Sequence, residues 1–449
     1  MTTRGLQPPP FESARTALGD HSLPARDLAS GGPAQAARGH AAGEAAAAGG
    51  GEPPLAVCLV GPGWRFTSGI SYYTCRLANS MAGEQCDTSV ILLRRLLPRL
   101  LYPGRARVGL KRASMQYAPG VRVFDGIDWW WGTSVLRALR FLRSRRPRVL
   151  VLQWWTAATL HTYLLLAAAA RLSGTRVVIE LHELQDPGEA GLALARCYGR
   201  WGLRALIRLA HGAVVHSKSD WQLFESNYGP MDMRVALVPH GPYDQYRDIP
   251  QTADPAITAA ITKVRAAPKD GTVNLLFFGL IRPYKGLEDL LRVFNALPGH
   301  EAGRFWLTVV GETWEGCTEP AHLIAASPHA ARITFVNEYV PDEVAAAAFA
   351  HADVAVLPYR RSSSSGILHV AMSLGLPIVV TSVGGLPEAA SGYAGAVFVP
   401  PADPAALKEG LMKAAALTGQ KFPDPRSWHD TVAAVRLAAS IDQPGQTPR

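Results

Sequence analysis

The sequence lacks an apolar stretch long enough to cross a membrane. Its longest apolar run, residues 163–172, is about half of the ~20 residues that a transmembrane helix requires. We therefore expect this run to form a helix packed on a sheet. Residues 1–53 lack the continuous apolar core of a secretory signal, so we expect no signal peptide.

Cysteine is scarce, and the few cysteines are scattered. The sequence has five of them, without metal-ligand spacing: Cys58, Cys75, Cys86, Cys197 and Cys317. An odd number at irregular spacing does not indicate a disulfide framework, so we expect a reduced, cytoplasmic protein. A well-placed Asp-x-Asp pair is also missing, and we predict no metal site.

Acidic residues are outnumbered: 36 Asp and Glu stand against 45 Lys and Arg, for a net charge of +9. Residues 94–112 contain seven of the basic residues, interleaved with leucines, and no acid. One interpretation is peripheral contact with an anionic membrane. The alternatives are an ordinary surface loop or an acceptor loop for a charged soluble substrate. No recognised nucleic-acid-binding module accompanies the charge, so we expect no nucleic-acid partner.

Length and composition predict more than one core. The 449 residues are 48% hydrophobic, which is enough for two α/β domains. We place an N-terminal domain at 54–245 and a C-terminal domain at 246–425. Residues 1–53, rich in Ala, Gly and Pro, are predicted to be a disordered tail. Residues 426–449 are predicted to be partly helical and to return toward the N-terminal domain.

A serine and glycine run opens a short apolar helix. Residues 362–366 read Ser-Ser-Ser-Ser-Gly, and we predict a helix over about 367–374 with Ser364 or Ser365 as its N-cap. Predicted strands at 351–359 and 377–381 flank it, which makes a βαβ unit. The free N–H groups at this helix start suit a phosphate. The alternative is an ordinary capped helix.

Two further loops are predicted at the carboxyl ends of parallel strands, where open α/β sheets bind ligands. The turn 382–388 carries Gly384, Gly385 and Glu388. Upstream, the apolar strand 274–279 leads into Arg282 and Lys285. These two cations suit the negative charge of a diphosphate, Arg as a bidentate fork and Lys as a point charge. A solvated loop is the alternative.

The segments 278–288, 352–359, 365–368 and 383–388 together resemble the donor domain of family-4 retaining glycosyltransferases with the GT-B fold. The resemblance extends over roughly residues 55–435. It implies an α/β fold of two Rossmann-like domains facing across a cleft. It also implies transfer of a sugar from a nucleotide diphosphate sugar to an acceptor, with retention, without a metal, and with no cofactor other than this donor substrate.

One departure concerns two glutamates, eight residues apart, that many family members carry. Ser362 and Val370 occupy those positions here, and the second glutamate normally binds the nucleotide ribose. His369 either substitutes for it or faces the helix interior. Similar serine-glycine versions of the motif occur in the family, so the departure does not by itself indicate an inactive protein.

The resemblance assigns roles to individual residues. His182 faces the donor sugar and is predicted to be catalytic with Arg282 and Lys285; a hydrogen-bonded core histidine is the alternative. Glu183 binds the acceptor, caps the next segment or pairs with an arginine. Ser217 and His240 either line the cleft or form a hinge turn. The predicted donor-binding residues are Ser68, Gly69, Ile70, Gly279, Ser364, Ser365, Gly366, Ile367, Leu368, Val370, Gly384, Gly385 and Glu388.

The sequence thus predicts a cytoplasmic glycosyltransferase that modifies a glycan or lipid-linked acceptor, in the setting of cell envelope glycan synthesis. Association with the cytoplasmic face of the membrane is left open. Because no carboxylate nucleophile is evident, the resemblance favours a same-face mechanism. The alternatives are an inactive GT-B-like binding scaffold at the membrane surface, or a sugar phosphorylase or epimerase of the same fold.

Overall fold

The computed structural model describes residues 54–63, 69–95, 115–182, 193–229, 233–247, 249, 252–314, 316–362 and 364–441. Some of the predictions fall partly or wholly elsewhere. The tail 1–53, Ser68, Glu183, most of the basic segment 94–112 and residues 442–449 of the predicted C-terminal segment lie outside the described residues.

The first domain is built on a parallel sheet of seven strands among the described residues, in the order β3-β2-β1-β4-β5-β6-β7. The strands are β1 (Ala56–Pro62), β2 (Asp87–Arg95), β3 (Arg122–Asp128), β4 (Val149–Trp154), β5 (Arg176–Leu181), β6 (Gly212–Val215) and β7 (Arg234–Leu237). Most of β1, β4 and β6 is buried, as expected for parallel strands covered by helices on both faces.

Helices connect these strands and cover the sheet. They are α1 (Gly69–Gly83), α2 (Thr133–Arg145), α3 (Leu160–Leu172), α4 (Ala193–Leu209) and α5 (Lys218–Tyr228). The apolar run 163–172 is helical, as the sequence predicts, and α3 begins three residues earlier, at Leu160. Ser217 is the N-cap of α5 and accepts a hydrogen bond from the Asp220 amide.

The second domain has a parallel sheet of six strands in its described part, ordered β10-β9-β8-β11-β12-β13. The strands are β8 (Val273–Phe278), β9 (Phe305–Val310), β10 (Ile333–Val336), β11 (Val354–Leu357), β12 (Ile378–Thr381) and β13 (Ala396–Val399). Its helices are α6 (Pro255–Val264), α7 (Leu287–Asn295), α8 (Gly299–Ala302), α9 (Glu319–Ala325), α10 (Asp342–His351), α11 (Gly366–Ser373), α12 (Leu386–Ala389) and α13 (Pro404–Ala415).

A last helix, α14 (Trp428–Ala438), packs against α1, β6 and β7 of the first domain. The contact is close, because a β-carbon added to Gly212 would lie 2.0 Å from the carbonyl oxygen of Ala438. The indole N–H of Trp428 donates to the Pro242 carbonyl at 3.1 Å. The chain therefore crosses from the second domain back to the first at its C-terminal end.

In each sheet the chain starts at a central strand, moves to one edge, and then restarts on the other side of that strand. This order creates a switch point between β1 and β4 and another between β8 and β11, where doubly wound sheets bind ligands. The predicted class of two Rossmann-like domains is confirmed. The predicted strand 351–359 is shorter than expected, since His351 ends α10 and β11 begins at Val354.

No helix within the described part of the chain is both long enough and apolar enough to span a bilayer.

Candidate active site

Gly279 and Lys285 lie together just beyond the end of β8. Gly279 has a φ of +108°, and a β-carbon there would lie 3.1 Å from Lys285 Nζ and 3.5 Å from Cγ1 of Ile367. Glycine is required because a side chain would be strained at this φ and would crowd the lysine. The ammonium group of Lys285 lies 5.4 Å from the centre of the Tyr359 ring. The loop after β8 and the start of α11 therefore form one cradle.

Arg282 lies in the same loop and packs on an aromatic ring. Its guanidinium carbon is 3.7 Å from the ring centre of Trp314, a distance typical of a cation-π contact. No ion pair joins Arg282 or Lys285 to a carboxylate of the described residues. Burial lowers the pKa of Lys285, and the nearby Arg282 cation lowers it further. The loop thus holds two cations ready for an anionic ligand.

The N-terminus of α11 faces this cradle. Ser365 is the N-cap, and its hydroxyl accepts from the Leu368 amide at 3.4 Å. The Ser365 hydroxyl also lies 3.4 Å from the Tyr359 hydroxyl. The sequence predicted a helix over about 367–374, and the structure shifts it by one residue, to Gly366–Ser373. The positive end of the helix dipole adds to the field of Lys285.

Not all of the α11 residues that the sequence predicts to bind the donor are accessible to solvent. Leu368 and Val370 are buried in the core of the second domain, whereas Gly366 and Ile367 are partly exposed. Val370 therefore contributes to core packing. Ser364 is partly exposed and accepts a hydrogen bond from the Ser362 hydroxyl through its carbonyl, at 2.8 Å.

The second glycine turn reaches the other domain. Gly384 has a φ of +52°, which glycine adopts at little cost, and Gly385 is the N-cap of α12. Both carboxylate oxygens of Glu388 accept from the backbone N–H of Lys218, at 2.7 and 2.8 Å. The predicted donor-binding Glu388 is therefore engaged with the first residue of α5.

Three histidines follow three neighbouring strands of the first sheet. His182 follows β5, His216 follows β6, and His240 lies three residues beyond β7. Leu181 is paired with Val215, and Val215 with Leu237, so the strand ends are adjacent. The ring centres of His182 and His216 are 4.9 Å apart, and those of His216 and His240 are 3.8 Å apart. All three side chains are buried.

A buried carboxylate lies beneath these rings. Glu180 accepts from the Tyr73 hydroxyl at 2.6 Å and from the side-chain amide of Gln153 at 3.1 Å. Its oxygens lie 3.7 Å from Nε2 of His182 and from Nε2 of His216. Burial alone raises the pKa of Glu180, but the histidines and the Tyr73 hydroxyl outweigh it, so the pKa lies below its ordinary value. The carboxylate is therefore ionised.

The ring cluster continues into the second domain. The ring centres of His240 and His369 are 5.1 Å apart, and the Nδ1 atom of His369 contacts a guanidinium nitrogen of Arg426. Arg426 pairs with Asp424 at 2.5 Å. Burial lowers the pKa of His369, as does the Arg426 cation. His369 is thus a neutral, buried ring at the domain boundary.

Tyr243, in the link between the domains, lies close to the glycines that begin α1 and α11. A β-carbon on Gly366 would lie 3.3 Å from Cε2 of Tyr243, and one on Gly69 would lie 3.8 Å from the same atom. Gly69, at the start of α1, is exposed, and Ile70 is half-buried. The first residues of α1 and α11 therefore lie against one ring.

Sequence reasoning missed Glu180, Tyr73 and Tyr243. One signal was available for Glu180: it is a carboxylate inside an otherwise apolar strand, and a buried charge requires partners. Tyr73 and Tyr243 had no such signal, since an aromatic residue in an apolar helix or after a strand is typical of a core.

Comparisons with known proteins agree with this architecture. Residues 68–241 match the family model "Glycosyl transferase 4-like domain", and residues 272–416 match "Glycosyl transferases group 1". The first match contains His182 and the second contains Arg282 and Lys285. Between them the two models include every strand described here except β1, which precedes residue 68.

Two relatives illustrate the sequence similarity. A GDP-mannose:glycolipid 4-beta-D-mannosyltransferase of Xanthomonas campestris pv. campestris is 30% identical over 216 residues, 48% of this chain and 52% of the relative. A D-inositol 3-phosphate glycosyltransferase 2 of Catenulispora acidiphila is 31% identical over 258 residues, 54% of this chain and 58% of the relative. The chain thus spans little more than half the length of these relatives.

Solved structures share the fold over a larger part of the chain. A sucrose-phosphate synthase from Thermosynechococcus elongatus has a TM-score of 0.55 at 14% identity, covering 86% of this chain and 94% of its own. The Anabaena protein HepE in complex with UDP has a TM-score of 0.54 at 14% identity, with the same coverage. The two domains of this chain thus match glycosyltransferase domain families, and they are arranged in the GT-B fold.

Proposed function

We propose that this protein transfers a sugar from a nucleotide diphosphate sugar to an acceptor hydroxyl, with retention and without a metal. The observation that carries the proposal is the cradle at Gly279. There Lys285 and the start of α11 converge within a few ångströms, and Arg282 lies in the same loop without a carboxylate partner among the described residues.

In this proposal the cradle stabilises the leaving group. As the bond between the sugar and the diphosphate breaks, negative charge grows on the phosphate oxygens. Arg282, Lys285 and the backbone amides at Ser365 and Gly366 face that charge from fixed positions. Preorganised donors of this kind supply the largest share of the rate in many enzymes.

His182 is proposed to face the donor sugar from the opposite domain. Both of its ring nitrogens are buried without a hydrogen-bond partner in the described part of the chain, so either can bind a sugar hydroxyl. Glu180 is held by Tyr73 and Gln153 beneath the rings, which disfavours it as a nucleophile.

The arrangement therefore supports a same-face reaction. The acceptor oxygen forms its bond to the sugar on the face from which the diphosphate leaves. The proton of the acceptor hydroxyl passes to an oxygen of the departing phosphate. Positioning of the two substrates, rather than a covalent intermediate, then accounts for the rate.

For the acceptor we propose a glycan or a lipid-linked hydroxyl compound. One relative is named for a glycolipid acceptor and another for inositol 3-phosphate. The basic segment 94–112 suits either an anionic leaflet or an acidic acceptor. Cosedimentation with vesicles, with and without anionic lipid, separates these cases. Neutralising Arg99, Arg105 and Arg107 should abolish vesicle binding if the segment meets the membrane.

The first test of the proposed function is a binding screen. The melting temperature is measured with UDP, GDP, ADP, dTDP and their common sugar conjugates, since a ligand of the folded state must raise it. We expect one base to be preferred, and the double variant Arg282→Ala/Lys285→Ala to lose the shift. The matched control is Arg304→Ala/Lys413→Ala, which removes two cations before β9 and on α13.

The binding screen also distinguishes the proposed transferase from the alternative, an inactive binding scaffold. If no nucleotide binds the wild-type protein, a donor site at Gly279 is wrong and the inactive scaffold is favoured. If nucleotides bind but no sugar conjugate is consumed with any glycan or lipid acceptor, the cradle is a nucleotide site without the proposed transfer.

A further inference from the structure

The cluster of His182, His216 and His240 has features that sugar transfer does not require. Each ring offers a nitrogen, and the three nitrogens lie within 4.8 Å of one another. Both nitrogens of His182, Nε2 of His216 and Nδ1 of His240 are buried and have no hydrogen-bond partner in the described part of the chain. The Nε2 atoms of His182 and His216 face Glu180 oxygens at 3.7 Å, beyond hydrogen-bond distance. Buried polar atoms are normally hydrogen-bonded, so four such nitrogens in one place indicate a ligand.

The hydrogen bonding of His216 shows which of its ring nitrogens is available to a ligand. Its Nδ1 atom lies 3.0 Å from the Val238 carbonyl oxygen, which can only accept, so Nδ1 carries the hydrogen. Nε2 is then the ring nitrogen that remains to bind a ligand, and it lies 3.7 Å from an oxygen of Glu180.

We propose that His182, His216 and His240, with the Glu180 carboxylate, form a binding site for a borderline transition-metal ion such as Zn²⁺. Three imidazoles and one carboxylate are a donor set that zinc accepts in tetrahedral geometry. The site goes beyond the proposed transfer reaction, which needs no metal.

The surroundings fit such a site. Histidine ligands almost always donate their other ring N–H to a carbonyl or carboxylate, as His216 does to Val238. The Tyr73 hydroxyl at 2.6 Å orients Glu180 in the same way. Zinc bonds of about 2.1 Å place ligand atoms about 3.4 Å apart. The three histidine nitrogens, which lie within 4.8 Å of one another, therefore close by up to about 1.4 Å when they bind the ion.

Metal binding has a consequence for the active site. An ion held by His182 occupies a nitrogen that the transfer reaction needs for the donor sugar. We therefore expect zinc to inhibit transfer and a chelator to restore it. Binding itself is measured without any sugar donor, so this inference and the proposed function fail independently.

The experiment titrates the chelator-stripped full-length protein with ZnCl₂, using calorimetry and competition with a chromophoric chelator. We expect one ion per chain with a Kd below about 1 µM. CoCl₂ is then added in place of zinc, and we expect the intense visible absorption of a tetrahedral cobalt site. This spectrum reports the geometry without any substitution.

His216→Gln and His240→Asn each remove one ligand, and we expect each to weaken zinc binding at least about a hundredfold. The matched control, His300→Gln/His322→Gln, removes two exposed imidazoles and should bind zinc as the wild type does. Circular dichroism checks that each variant is folded.

The inference is overturned if the wild type binds zinc no more tightly than about 10 µM, or if cobalt gives no tetrahedral spectrum. It is equally overturned if folded His216→Gln and His240→Asn proteins retain wild-type affinity. If one of these variants does not fold, the other and the cobalt spectrum still decide the question.

Discussion

The backbone N–H of Lys218 donates to both carboxylate oxygens of Glu388, at 2.7 and 2.8 Å. Lys218 is the first residue of α5 in the first domain, and Glu388 belongs to α12 in the second. A carboxylate at a helix N-terminus satisfies an amide that has no partner within the helix. These two hydrogen bonds therefore connect the two domains at the carboxyl edges of their sheets.

We expect Glu388→Ala to weaken the contact between the two domains. The lost contact is worth on the order of 1 kcal/mol at a partly exposed helix end, enough to increase the share of molecules with separated domains. Small-angle scattering of the protein without donor should show a larger radius of gyration. Glu409→Ala, which removes a carboxylate paired with Lys413 on α13, is the control. An unchanged scattering curve for Glu388→Ala would show that other contacts hold the domains together.

Gly279→Ala tests the cradle. An alanine at a positive φ costs about 1–2 kcal/mol, and here the new methyl group would also lie 3.1 Å from Lys285 Nζ. Gly271→Ala is matched, because Gly271 has a φ of +95° and nothing within 4 Å of an added β-carbon. We expect both variants to lose stability in urea, and Gly279→Ala alone to lose about tenfold or more in nucleotide affinity. Equal nucleotide affinities would place the diphosphate elsewhere.

Tyr73→Phe tests how much the Tyr73 hydroxyl stabilises the buried carboxylate of Glu180. Removing a hydroxyl 2.6 Å from Glu180 leaves a buried charge with one donor fewer, at a cost of about 1.5–3 kcal/mol. Tyr163→Phe removes hydroxyl bonds to the carbonyl oxygens of Gln153 and Val60, and its cost should be nearer about 1 kcal/mol. Urea unfolding of both variants measures the difference. A smaller loss for Tyr73→Phe would mean that Glu180 is neutral in the fold.

The lowered pKa of Lys285 predicts that donor binding depends on pH. Burial, and then the Arg282 cation, lower its pKa below the ordinary 10.5, so the free protein loses this charge at a lower pH than an exposed lysine does. A bound diphosphate favours the charged form, so binding takes up a proton. Affinity should therefore fall as pH rises through the lowered pKa.

Calorimetry in buffers of different ionisation enthalpy measures this proton uptake at alkaline pH. Lys285→Arg is the informative variant, because arginine keeps its charge throughout this range. We expect the uptake to disappear in Lys285→Arg, while the affinity becomes flat with pH. Uptake that persists in the variant would assign the proton to another group.

Much of the fold follows from local patterns in the sequence. The predicted helix at 163–172 lies within α3, Leu160–Leu172, and the predicted strand 377–381 is β12, Ile378–Thr381. Differences occur at element ends. The predicted strand began at His351, but α10 extends to His351 and β11 begins only at Val354, after Asp353. The cradle residues Gly279, Lys285 and Ile367 come together in the structure, although no local pattern relates β8 to α11.

The sequence by itself determined the α/β class, the glycine and serine loops, and the two cations after β8, because each depends on residues that are close along the chain. Only the tertiary structure decided that Tyr73 would support Glu180, 107 positions away, and that three histidines from separate strand ends would face one another. Such contacts depend on strand order and register. Those are set by the packing of the whole sheet, and no segment read alone contains them.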